Sequence, residues 1–260
     1  MKSLILAAGI GSRLGEITKE LPKCLVPVAG KPILEYQLDA LLANGITEVA
    51  LVLGYQKEKI LAFLESKEKY KSMTFTFALN LEYATTNSSY SYWQARSLVG
   101  NEPYIHLNSD IVLFPPLIKR LKESTFENAI LVDRKVKLDA SMEQVILEED
   151  NVLRGDNILG GDRIVKKSRI VKMDKANLPG AMGRGSGMAK LSPVAVAVMK
   201  ERVEGFVRNG DKNQHCHGLM RHALTKVPFY ALDAHDLFFR EINDKEELQE
   251  AEEAIRKQKF

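Results

Sequence analysis

The chain has 260 residues, 45% hydrophobic and 27% charged, an ordinary globular composition that excludes disorder as the main state. Folding at this length buries roughly 70–75% of the surface exposed by the unfolded chain, so neither disulfides nor a structural metal are needed. The balance of 37 basic against 34 acidic side chains leaves +3, too weak and dispersed to imply nucleic acid.

Cys24 and Cys216 lack CxxC spacing and read as thiols of a reducing compartment. The longest apolar run, Pro193–Met199, falls well short of the ~18–20 residues of a membrane span. Met1–Ala8 imitates a secretory leader, but Gly9, Gly11 and Arg13 interrupt it, so a cytoplasmic location is expected.

In chain order, Leu4–Leu6 read as a buried strand running into a glycine-rich turn, Gly9–Gly15. Pro32 opens a helix with Leu34, Leu38, Leu41 and Leu42 at i, i+4, i+7 and i+8, and Asn44-Gly45 ends it. Glu48–Leu53 is a second apolar strand, and Lys57–Lys71 a charged helix that buries Ile60, Phe63 and Leu64. Met73, Phe75 and Phe77 alternate with Thr74 and Thr76, a strand with one wetter face. A helix is predicted over Tyr90–Leu98, a strand over Tyr104–Leu107 ending at Asn108-Ser109-Asp110, a helix from Pro115-Pro116, and a strand over Ala129–Val132. This βαβ series predicts a mostly parallel, Rossmann-like sheet, helices on both faces, and ligands at the strands' carboxyl ends.

From Met142 the pattern becomes short strands, Gln144–Leu147 and Arg169–Met173, around a Gly- and charge-rich segment, Arg154–Lys167. Gly180–Gly187 precedes a strand placed within Met188–Met199, and a last helix starts near Asp244. No Pro/Ser-rich linker divides the chain, so residues 1–135 and 136–260 read as two parts of one domain.

A strand leading into Ala7-Ala8-Gly9-Ile10-Gly11-Ser12-Arg13-Leu14 lets backbone approach a ligand and turn several N–H groups towards it, forming an anion nest. GxxxxGK[ST] is absent, and Gly9-x-Gly11-x-x-Leu14 lacks the third glycine of a dinucleotide fingerprint. Arg13 follows the nest and Pro22-Lys23 adds a second cation, a pair suited to a polyphosphate.

Leu6-Ala7-Ala8-Gly9-x-Gly11-x-Arg13-Leu14, Thr18, Pro22-Lys23, Leu25–Val28 and Gly30–Leu34 together resemble the signature of the nucleoside-triphosphate transferases that make nucleotide-activated sugars and alcohols. The resemblance implies a three-layer αβα sandwich and a reaction in which an acceptor phosphate displaces pyrophosphate from an NTP. Residues 1–135 would then bind nucleotide, and 136–260 would bind acceptor and complete a metal site. Leu6, Ala7, Ala8, Gly9, Gly11 and Ser12 would hold the nucleotide, Arg13 the β and γ phosphates, and Lys23 the charge developing at the α-phosphorus. An acceptor phosphate is already ionised near neutral pH, so alignment and electrostatic stabilisation suffice without a general base. The reactants carry about six negative charges, more than Arg13 and Lys23 offset, which calls for a divalent cation, Mg2+.

Asp110 matches the family's metal-binding aspartate, though Asn108-Ser109-Asp110 is also good turn chemistry. By the same pattern Asn243 is the second ligand, with Glu241 two residues upstream; Asn243 followed by Glu246 reads equally as a helix cap. The Asn80–Ser91 segment resembles the base-contacting loop of the phosphocholine cytidylyltransferase branch, where Asn87, Ser88 and Ser91 would meet cytosine or ribose. Their alternative role is helix capping. Tyr83, Tyr90, Tyr92 and Trp93 form either an aromatic face for a choline-like ammonium or a helix seam. Asp174-Lys175 resembles a Glu-Lys pair that holds the acceptor phosphate in sugar-transferring relatives, and Gly185-x-Gly187 their following glycine. His215-Cys216-His217 with His222 fits no structural zinc framework, and Arg163–Lys175 lacks the interleaved aromatics of a nucleic-acid patch.

The expectation is a Mg2+-dependent cytidylyltransferase that couples CTP to a phosphocholine-like or 2-aminoethylphosphonate-like acceptor. It has no nucleic-acid or membrane partner, and a homo-oligomer is compatible with it. The alternatives are a sugar-1-phosphate nucleotidyltransferase using UTP or dTTP and a catalytically silent nucleotide sensor.

Overall fold

The structure is a computed structural model and describes residues 1–150, 167–234 and 237–257. Strand β1 (Lys2–Ala7) is buried along nearly its whole length. After the short helix α1 (Ile17–Glu20) and the two-residue strands β2 (Pro27–Val28) and β3 (Lys31–Pro32), helix α2 (Ile33–Ala43) begins behind Pro32 and stops at Asn44, with Gly45 left-handed at φ 67°. Strand β4 (Glu48–Leu53) then leads to α3 (Lys57–Ser66). This helix is shorter than predicted: a separate 3-10 turn at Glu68–Tyr70 carries Tyr70 into the core, where its hydroxyl donates to Asp39 at 2.7 Å.

Strand β5 (Thr74–Leu79) precedes α4 (Ser88–Gln94), which begins before the predicted Tyr90 because the Asn87 side chain caps it. Strand β6 (Tyr104–Asn108), helix α5 (Pro115–Glu123) and strand β8 (Ala129–Asp133) fall close to expectation, and a short strand that was not expected, β7 (Ile111–Leu113), lies between β6 and α5. So do β9 (Gln144–Asp150) and β10 (Lys167–Asp174). Most of the Arg154–Lys167 segment lies outside the described residues.

The predicted strand within Met188–Met199 divides in two: β11 (Gly183–Leu191) ends at Leu191, and Pro193–Met199 belongs to helix α6 (Pro193–Arg208). The reason is local. Ser192 accepts from the Ala195 N–H at 3.3 Å and Pro193 occupies the first turn, a helix start that overrides the apolar run. Helix α7 (Cys216–Leu224), strands β12 (Tyr230–Asp233) and β13 (Phe239–Glu241) and helix α8 (Lys245–Lys257) complete the order.

The main sheet runs β5-β4-β1-β6-β11-β8-β12-β10-β9. β5, β4, β1 and β6 are mutually parallel; beyond them β11, β10 and β9 pair antiparallel, so the sheet as a whole is mixed. One face packs Leu4, Leu6, Tyr104 and Ile130 under α4, α6 and α7; the other packs Ile5, Leu51, Leu107 and Leu131 under α2, α3 and α5. This is the three-layer sandwich, with each fully buried Leu or Ile side chain contributing on the order of 2 kcal/mol. No helix among the described residues is long and apolar enough to cross a membrane.

From β1 the chain builds outward through β4 to β5, then returns to lay β6 on the other flank of β1. That reversal opens a crevice at the carboxyl ends of β1 and β6. The glycine-rich loop leaves β1 on one side of it, and Asp110 follows β6 on the other.

Candidate active site

The loop after β1 is fixed from behind. Ala8 C=O accepts from the Tyr55 N–H at 3.1 Å, and Thr18 Oγ1 donates to Gly11 C=O at 3.0 Å. The N–H groups of Gly9, Ile10 and Gly11 find no acceptor among the described residues, which leaves them available to an anion. Gly11 has φ 74°, and a Cβ there would stand 2.9 Å from Lys23 Cβ. Glycine is thus required both for the turn and for the lysine stem lying across it.

Lys23 Nζ donates to Asp110 Oδ2 at 2.7 Å and to Asn243 Oδ1 at 3.2 Å, while Arg13 Nη2 donates to Asn243 Oδ1 at 2.8 Å. Residues 13, 23, 110 and 243 therefore meet in one cluster. A small second sheet brings them together: β13 pairs antiparallel with β7, Glu241 opposite Ile111, and the Ile242 N–H donates to Asp110 C=O at 2.8 Å. Burial pushes the Asp110 carboxyl up, but the adjacent Lys23 ammonium outweighs it and holds the carboxyl below its ordinary value.

The cap reading of Asn243 is corrected. Helix α8 is capped by Asp244, whose Oδ1 accepts from the Glu247 N–H at 3.0 Å, while Glu247 reaches back to the Asn243 N–H at 2.6 Å. The box sits one residue later than Asn243/Glu246, which frees the Asn243 side chain to face the two cations. Asp110 Oδ1 is buried without a partner, and such an atom calls for a ligand. Asn243 Oδ1 accepts from the same Lys23 ammonium as Asp110 Oδ2, and this oxygen set suits Mg2+, which takes few protein ligands and completes its shell with water and phosphate. No group of three His, Cys, Asp or Glu among the described residues is arranged to hold a metal.

The Asn80–Ser91 loop is organised by Asn80, which is buried and donates to Thr86 Oγ1 and Ser91 Oγ, both at 3.0 Å. Asn87 accepts from the Ser88 N–H at 2.8 Å, and Ser88 Oγ accepts from the Cys216 N–H at 2.8 Å. Asn87, Ser88 and Ser91 thus build the loop and tie it to the start of α7. Half-buried Tyr83 meets Tyr55 edge to face at 5.9 Å, and the Tyr55 N–H holds the nest carbonyl of Ala8.

The aromatic face resolves as a seam. Tyr92 is fully buried, and Tyr90 stacks on Trp93 at 5.3 Å, donates to Glu82 at 2.6 Å and lies under Lys212 Nζ at 4.8 Å. Glu241 is paired with Arg184, and exposed Lys175 follows β10. Neither enters the Lys23 cluster by a direct bond. His215, Cys216 and His217 separate: Cys216 is buried, His215 Nε2 lies 3.5 Å from Asn87 Nδ2, and His217 Nε2 is buried without a partner.

Two contributors, Gln37 and His106, escape a reading of sequence, and a third, Gly187, is legible there only as part of Gly185-x-Gly187. Gln37 is fully buried and donates to the carbonyls of Asn108 and Ile111 at 2.8 and 2.9 Å, clamping the turn that carries Asp110. A polar residue on the apolar stripe of α2 is its only sequence signal. His106 lies two residues before Asn108 on the same strand face; burial pushes its imidazole down to about 3, with His217 adding to the effect. Gly187 lets the Asn108 amide lie flat on β11, since a Cβ there would overlap it.

The nucleotidyl transferase family profile matches residues 2–141. The CMP-5'-(3-aminopropyl)phosphonate synthase of Streptomyces rubellomurinus is 34% identical over 137 residues, covering 53% of this chain and 21% of that protein. Mannose-1-phosphate guanylyltransferase 1 of Arabidopsis thaliana is 35% identical over 152 residues, covering 57% of this chain and 42% of that protein. The matched stretch thus spans less than half of either relative. The solved CTP:phosphocholine cytidylyltransferase of Streptococcus pneumoniae superposes with a TM-score of 0.69 at 20% identity, covering 98% of both chains.

Proposed function

Since this chain belongs to the nucleotidyl transferase family, we propose that it transfers CMP from CTP to a small phosphate or phosphonate acceptor of the phosphocholine or 2-aminoethylphosphonate kind, releasing pyrophosphate. The observation that carries the reading is the convergence of Lys23, Asp110, Asn243 and Arg13 beside free backbone N–H groups at the switch point. Cations and amides at that place answer a polyphosphate. The phosphonate relative favours CTP and a phosphonate; the guanylyltransferase makes the nucleotide a point for experiment.

In the proposed reaction an acceptor oxygen forms the new bond to the α-phosphorus, and the bond to the β-phosphate oxygen breaks with its electrons leaving on pyrophosphate. The Gly9–Gly11 amides would orient the triphosphate, Arg13 its far end, and Lys23 the α-phosphoryl oxygens as charge shifts onto them. Asp110 and Asn243 would hold Mg2+, which supplies charge neutralisation of the phosphates. Tyr83, Lys175 and the Arg184–Glu241 pair would stand on the acceptor side.

Pyrophosphate release is the test, with CTP, UTP, dTTP and GTP each offered phosphocholine, 2-aminoethylphosphonate, glucose 1-phosphate and mannose 1-phosphate. Release confined to CTP with the first two acceptors is expected. Release only with a sugar phosphate moves the protein to the sugar-transferring class, and nucleotide binding without release from any pair makes it a sensor.

A further inference from the structure

β5 ends the main sheet on the nucleotide side. Its residues, Thr-Phe-Thr-Phe-Ala-Leu, include neither charge nor proline, the devices that usually blunt an edge strand. The Thr74 and Asn80 N–H groups donate inward to Thr47 and Leu53 at 2.8 and 2.9 Å. Even-numbered positions therefore pair with β4, and Phe75, Phe77 and Leu79 turn N–H and C=O out of the sheet.

The same three residues share one side-chain face. Phe75 stacks on Phe77 at 6.5 Å, Phe77 and Leu79 are 43% and 44% exposed, and Leu81, just past the strand, is 74% exposed. Backbone pairing and apolar burial are incomplete at one place.

We propose that β5 pairs antiparallel with β5 of a second copy of this chain, about a twofold axis beside Phe77. In that register Phe77 faces the partner's Phe77 and Phe75 faces the partner's Leu79, giving about six inter-chain hydrogen bonds and apolar contact along one face. The ends favour this direction. Lys69 and Lys71 precede the strand and Glu82 follows it, so antiparallel approach brings opposite charges together and parallel approach would set like against like. Lys71 and Glu82 already pair with Glu68 and Lys212, so their effect across the axis is orientation more than affinity. The contact is self-complementary, as a twofold interface requires. It adjoins the Asn80–Ser91 loop but uses none of the residues assigned to CTP, so dimerisation and nucleotidyl transfer stand or fall separately.

Sedimentation velocity on the whole chain from about 1 to 100 µM tests the pairing. A species near twice 29.2 kDa is expected for the native protein. Phe77→Lys should weaken dimerisation at least tenfold while the circular dichroism spectrum stays native, because the Phe77 backbone takes no part in the β4 ladder. Mild oxidation of Phe77→Cys should give a covalent dimer and Thr76→Cys should not, since residue 76 faces the partner's Ala78; native Cys24 and Cys216 are buried. A native monomer at 100 µM, a dimer indifferent to Phe77→Lys, or equal linking through positions 76 and 77 would each overturn the proposal.

Discussion

Replacing Asp110 by Asn leaves the Lys23 ammonium in place with its negative partner gone. The two side chains are 13% and 23% exposed and 2.7 Å apart. At an effective dielectric of about 20 they attract by about 6 kcal/mol, and desolvation of several kcal/mol per ion offsets most of this. The intact pair is therefore worth little net, but breaking it strands a charge. A fully buried stranded charge costs about 3–5 kcal/mol; partial exposure brings the expected loss to about 2–3 kcal/mol for Asp110→Asn and for Lys23→Met alike. For a chain of this size that is about 4–6 °C in melting temperature.

The double variant removes both charges and should lose at least 1 kcal/mol less than the two single losses added together. The pH response separates the two singles. In the native protein the Asp110 carboxyl lies below its unfolded value, so its contribution is present above pH ~4 and fades as pH falls through the folded value. Without Lys23, burial, the largest single influence, pushes the carboxyl up against only a backbone hydrogen bond and His217, so Lys23→Met should regain stability as pH falls towards 4. Urea unfolding of the four proteins at pH 7.5 and 4.5 measures both effects. Additive losses, or a Lys23→Met deficit that is constant with pH, would refute the reasoning.

His106 is neutral in the folded state, with its imidazole near 3, and takes up a proton in the unfolded state below about 6.5. Stability should fall by up to about 1.4 kcal/mol per pH unit as pH drops from 6.5 towards 3, and chemical unfolding of His106→Gln should show a shallower slope over that range. Gln37→Leu removes the amide that clamps the Asn108 and Ile111 carbonyls; unfolding should register a loss of about 2 kcal/mol, and turnover should drop more than nucleotide affinity because the Asp110 turn loosens. Gly187→Ala drives a methyl into the Asn108 amide, and calorimetry should show a destabilisation of about 1–3 kcal/mol.

The parallel half of the fold was legible because its signals are local and redundant. Pro32, the leucine stripe and Asn44-Gly45 each mark the same helix, and apolar runs of five or six residues mark β1 and β4. Legibility failed where two signals competed over a short span. Pro193–Met199 is apolar and β-branched enough for a strand, yet Ser192 and Pro193 start a helix whose N–H groups they satisfy or lack. Composition there decides burial, and capping decides conformation.

The candidate site divides along the same line. Gly11, Arg13 and Lys23 lie within thirteen residues, and their spacing carries meaning without the rest of the chain. Asp110 and Asn243 are 133 positions apart and acquire their relation only through the β7–β13 ladder, three residues on each strand. A sequence shows both ends of that ladder but not its register, and a shift of one residue would turn Asn243 from the cations and put Ile242 or Asp244 in its place. The register is fixed by Phe239 and Ile242, both buried, and by the Asp244–Glu247 box, which anchors α8 immediately beyond. That box was readable as a cap on Asn243, which left the asparagine equally a helix end and a ligand; the Asp244–Glu247 contact is what separates the two. Where two candidate caps are adjacent, the residue left over is the one available for chemistry, and only the tertiary contact of its neighbours says which it is.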